Sequence, residues 1–80
     1  MQTRFDPSPI ARTAAATANR YRLRSRTSDD EMAMRLLAAA HAHEHWACFP
    51  YSPNAKAEAL RAANEVLVEE YVRIGRIPRR

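Results

Sequence analysis

The stretch Phe49-Pro50-Tyr51-Ser52-Pro53 decides the fold. Pro50 pushes Phe49 toward extended backbone, so a helix arriving from the N-terminal side must stop near Cys48. Ser52-Pro53 starts another. A serine hydroxyl caps free N–H groups, and proline at the first helical position lacks an N–H that would have no partner there. Helix, short rigid turn and helix make a hairpin.

Upstream, Ser28-Asp29-Asp30-Glu31 has the form of a capping box, with Ser28 as cap and Glu31 reaching back. Its carboxylates suit the positive end of a helix dipole. Good helix formers follow, including Met32, Ala33, Met34, Leu36, Leu37 and Ala38 to Ala40, predicting a helix over 28–48. Downstream, Leu60, Ala63, Leu67, Tyr71 and Ile74 recur at spacings of three and four. Val66, Val68 and Val72 widen that stripe, which predicts a helix over 53–75 with these residues facing the core. Gly75, the sole glycine, reads as its C-cap, and Pro78 blocks a restart. Each helix is about 20 residues, or about 30 Å, and the short loop favours antiparallel packing.

Ser8-Pro9 repeats the helix-start signal and predicts a shorter helix over 9–24. Its stripe of Ile10, Ala14, Ala18 and Tyr21 is weak, so this helix is expected to lie across the hairpin or to order on a partner. The fold class is therefore all-α: a small three-helix bundle with the second and third helices as its core. Residues 1–8 read as an extended arm, 9–75 as one helical domain and 76–80 as a basic tail.

Thirteen basic residues against nine acidic ones give +4, distributed unevenly. Residues 1–26 carry +5, residues 27–52 carry −3 and residues 53–80 carry +2. Arg20, Arg22, Arg24 and Arg26 alternate with other residues beside Tyr21, and Arg76, Arg79 and Arg80 form a second basic end. Arginine suits bidentate contact with phosphate or carboxylate. These clusters, with Tyr21 available to stack, are candidate contacts to nucleic acid. The competing reading is a solvated helix end whose cations complement the dipole. An antiparallel bundle would bring both basic ends to one pole beside Asp29 to Glu31, which would neutralise part of the patch.

His41, His45 and Cys48 stand at i, i+4 and i+7, so one helical face presents two imidazoles and a thiol. Zinc accepts such ligands, with the fourth supplied from elsewhere. The competing reading continues the stripe begun by Met34 and Leu37 and makes all three half-buried packing residues. Trp46, Phe49 and Tyr51 gather at the turn, as an aromatic anchor for a protein partner or as a plug closing the bundle.

One glycine excludes a glycine-rich phosphate loop, and no nucleophile lies beside an evident base and orienting group. An enzyme is not expected. One cysteine excludes an internal disulfide framework, and no signal peptide or membrane-spanning run is legible, so the chain reads as cytoplasmic. Eighty residues rich in alanine give a thin core that leans on a partner or on self-association, and alanine faces permit the close approach a homodimer needs.

These features favour a non-catalytic protein-binding module, an inhibitor or adaptor docking on a larger protein or nucleoprotein complex. In size and composition alone this is the character of small phage and mobile-element proteins such as anti-CRISPR inhibitors. One version mimics DNA with Asp29, Asp30, Glu31, Glu65, Glu69 and Glu70. The alternatives are a nucleic-acid-binding regulator and a metal-stabilised helical module.

Overall fold

The computed structural model describes residues 8–78, and they form three helices with no strand among them. Helix α1 spans Pro9–Ser25, α2 spans Asp30–Cys48 and α3 spans Pro53–Arg73. The expected arm over 1–8 and the arginines Arg79 and Arg80 lie outside the described residues, Ser8 excepted.

The serine–proline starts behave as expected. Ser8 Oγ accepts from Ala11 N and Ser52 Oγ accepts from Ala55 N, each at 3.2 Å. Gly75, at φ +82°, closes α3: its N–H donates to Val72 O, and Arg76 N–H donates to Tyr71 O. That pair of bonds satisfies orphan carbonyls and needs the left-handed conformation glycine adopts freely.

The start of α2 differs from the capping-box expectation. Asp29 is the N-cap, its Oδ1 accepting from Met32 N at 2.9 Å. Ser28 Oγ instead donates to Arg24 O at 2.8 Å, satisfying the end of α1. The connection is so short that its serine is taken by the helix behind it, and the next acceptor caps the helix ahead.

Helix α2 is the centre of the molecule. Helices α1 and α3 each pack along it, and their backbones do not approach one another. The result is a small three-helix bundle measuring 48 × 25 × 16 Å, with α2 between its two neighbours. The expected all-α three-helix bundle with its α2–α3 hairpin is therefore what forms, and α1 makes the more extensive contact with α2.

The reason is side-chain size. Ala11, Ala14 and Ala18 of α1 and Ala39, Ala40 and Ala47 of α2 are buried to within 2% of full burial. Small residues at heptad-like spacing let helix axes come close, so dispersion contacts run along the whole seam. The same run of small residues that makes α1 look featureless is its packing surface.

The second correction concerns which faces are covered. Among the described residues, Met32, Leu36 and Val66 are the large apolar side chains in the core, with Tyr21 and Ala62 packed against them. Twelve other large apolar side chains are exposed. Leu60, Leu67, Tyr71 and Ile74, expected to face α2, point outward at 44–65% exposure. Helix α3 meets α2 through Ala55, Ala59, Val66 and Glu69 instead. On α2 the stripe through Met34, Leu37, His41, His45 and Cys48 is likewise exposed, while Met32, Leu36, His43 and Ala47 turn inward.

Candidate partner-binding surface

Ion pairs set the rotation of α3 against α2. Glu69 is 4% exposed and bracketed by two arginines: Arg73 Nε at 2.8 Å and Arg35 Nη2 at 3.9 Å. Arg73 also holds Asp29 and lies 3.8 Å from Glu31. A buried carboxylate must keep its partners or lose far more than a surface charge would. This network therefore fixes which side of α3 faces inward, and the large apolar stripe is left outside.

The same network answers the expectation for the basic pole. Helix ends carrying Arg24 and Arg73 do meet there, and acids neutralise them. Arg24 pairs with Glu70, joining α1 to α3, and Arg22 Nη1 sits 2.5 Å from Glu44. The Arg73 guanidinium is the main cause that holds the Asp29 carboxyl at about 2, below its ordinary 3.8, and the Met32 N–H adds to it. Arg22 likewise lowers Glu44, chiefly by hydrogen bonding.

Two of the four alternating arginines are thus held by carboxylates of their own chain. Arg20 reaches Thr17 Oγ1 at 3.4 Å, and Arg26 and Arg76 make no ion pair among the described residues. The DNA-mimic acids fare similarly: Asp29, Glu31, Glu69 and Glu70 are all engaged by arginines.

His41 and His45 line a groove of about 510 Å³ between α2 and α3, facing Glu58, Arg61 and Glu65. Cys48 lies apart, in a recess beside Ala15, Asn19 and Glu44. The three expected ligands therefore open into different grooves, and no group of three or more metal-ligating side chains is gathered among the described residues. His45 rests instead against the Phe49 ring, centroids 4.9 Å apart.

The aromatic cluster at the turn is split. Trp46 is half-buried, and its Nε1–H donates to Pro50 O at 3.3 Å, so it pins the turn. Phe49 and Tyr51 are 55% and 71% exposed and remain available to a partner.

His43 was not singled out by sequence, yet it is 5% exposed. Its Nδ1 lies 2.8 Å from Ala39 O, and its ring sits 5.3 Å from Tyr21 and 6.0 Å from Trp46. The signal was its place at i+4 from Ala39 and i+7 from Leu36.

A further exposed apolar feature is the outer face of α3. Leu60, Leu67 and Ile74 stand seven apart, with Tyr71 beside them. At about 1.5 Å per residue they form a ridge about 21 Å long. Past its N-terminal end, Lys56 lines a recess of about 370 Å³ with Pro9, Ile10, Thr13 and Trp46.

No helix among the described residues is long and apolar enough to cross a membrane. No family model matches the chain, and comparisons with curated proteins and with solved structures found no match.

Proposed function

We propose that the chain is a non-catalytic protein-binding module whose contact surface is the outer face of α3. The observation that carries this reading is the inverted burial: Leu60, Leu67, Tyr71 and Ile74 are exposed while most of the buried apolar residues are alanines. Contiguous apolar ridges of this kind mark interaction sites. Phe49 and Tyr51 extend the apolar surface at the turn. Nucleic-acid binding has weaker support, because Glu44 and Glu70 already occupy Arg22 and Arg24.

Such a module acts by covering part of a larger protein or nucleoprotein complex, as an inhibitor or adaptor does. The test is affinity capture from lysate with the full tagged chain and with Leu60→Asp/Leu67→Asp, each with and without nuclease. A stoichiometric protein partner that survives nuclease and falls at least about tenfold with the variant is expected. Undiminished capture by a folded variant would overturn the reading, as would capture that disappears with nuclease.

A further inference from the structure

The charges around the α3 ridge select its occupant. Lys56 stands four residues before Leu60, on the same side of the helix, and Arg76 follows Ile74 just past the cap. Neither makes an ion pair among the described residues. The acids of α3 are committed or turned elsewhere. Glu69 is buried with arginines, Glu70 holds Arg24, Glu58 holds Arg61, and Glu65 lines the α2–α3 groove. The ridge is thus apolar along its length and cationic at both ends, and the acid that flanks it, Glu70, is already paired with Arg24.

We infer that the ridge receives an amphipathic helix of a partner protein, apolar along one seam and flanked by Asp and Glu. This rests on the protein-binding reading and names the partner's chemistry. Lys56 to Arg76 spans about 30 Å, the length of a helix of about 20 residues. A seven-residue apolar repeat on the partner matches Leu60, Leu67 and Ile74 in register. Its end would reach the Ile10–Trp46 recess, with Lys56 at the rim.

A second copy of this chain fits less well. Parallel self-pairing of α3 sets Lys56 against Lys56 and Arg76 against Arg76. Antiparallel pairing about Leu67 sets Lys56 against the basic C-terminal end. Like charges across a contact disfavour both arrangements, whereas carboxylates on a partner helix are attracted to either end.

The test uses the full chain and three labelled synthetic helical peptides of about 21 residues. All share one leucine seam at heptad spacing, flanked by Glu, Gln or Lys. Fluorescence anisotropy is read at moderate salt. The Glu-flanked peptide is expected to bind at least about tenfold tighter than the Lys-flanked one. Leu67→Asp should weaken it by at least about tenfold, and Lys56→Glu with Arg76→Glu should reverse the order of the two charged peptides. Both cations lie outside the core, and the melting temperature of the charge variant confirms that it folds.

Equal affinity for the Glu- and Lys-flanked peptides, or no peptide binding, would overturn the acidic-helix inference. Lysate capture that still depends on Leu60 and Leu67 would then leave the protein-binding reading standing. Self-association in sedimentation that is abolished by Leu67→Asp would assign the ridge to a second copy. A duplex oligonucleotide that outcompetes the Glu-flanked peptide for Lys56 and Arg76 would assign it to nucleic acid. Either result removes the proposal.

Discussion

The seam between α1 and α2 and the outer face of α3 use hydrophobicity in opposite ways. The seam is built from the smallest apolar side chains and is closed, with Ala18, Ala40 and Ala47 at 0% exposure. The α3 face carries far larger apolar residues and is open, with Leu60 at 52% and Ile74 at 65%. Burial here follows how closely two backbones can approach, and the area each side chain offers comes second. Close approach gains many weak contacts along a helix, while one large residue in the seam would hold the helices apart. The same difference separates two tasks. Residues in the closed seam hold the chain's own fold together, and residues on the open face are the ones proposed to meet a partner.

The sharpest way to break this contrast is to enlarge the seam. Ala18→Leu is expected to cost about 3 kcal/mol, the upper part of the overpacking range, and to lower the melting temperature in thermal denaturation followed by circular dichroism. An unchanged midpoint would show that the seam is not close-packed. Leu36→Ala, at a side chain with 0% exposure, should cost a similar amount, about 3 kcal/mol, read from the denaturant midpoint. Ser52→Ala removes the cap that starts α3 and should cost about 1 kcal/mol in the same measurement.

Acid sharpens the role of the ion pairs that orient α3. Asp29 titrates lower in the folded chain, at about 2, than its ordinary 3.8. Its contribution is therefore present above about pH 4 and is lost as the pH falls toward about 2. A melting temperature followed over that window should decline, and the decline should be smaller in Asp29→Asn. Identical profiles would remove Asp29 from the network. The smallest effect is expected on the open face. Leu67→Ala should change the stability of the isolated chain by less than about 0.5 kcal/mol, although the same leucine is placed at the centre of the partner contact. A loss comparable to that of Leu36→Ala would mean that the ridge is part of the monomer core.

Local signals were legible wherever one residue answers one backbone need. Pro50 and Pro53 end and restart helices because a pyrrolidine ring restricts its neighbours and lacks an N–H. Ser8 and Ser52 cap because the first amides of a helix lack partners. Gly75 closes α3 because its φ is positive. Ser28 failed as a cap because two helix ends compete for the same short connection, and the carbonyl of Arg24 takes its hydroxyl.

The candidate site was harder to read because α3 repeats apolar residues on two faces. Ala55, Ala59 and Val66 recur at helical spacing, as do Leu60, Leu67 and Ile74. A hydrophobicity pattern favours the larger set as the core. On α2 the same ambiguity made the His41, His45 and Cys48 face look like packing, whereas His43 on the other face is the buried one. The arginines were visible as a cluster, but the carboxylates that hold Arg22 and Arg24 come from α2 and α3, more than twenty residues away.

The sequence by itself determined that the chain is all-α, with three helices and breaks near 25–27 and 49–52, because capping, proline and glycine rules act within a few residues. Tertiary structure alone decided that α2 is central, that the alanine seam closes and that the leucine ridge of α3 faces outward. Those outcomes depend on the distance between helix axes and on the pairing of Asp29, Arg35, Glu69 and Arg73 across them, and neither is encoded in the period of any single helix.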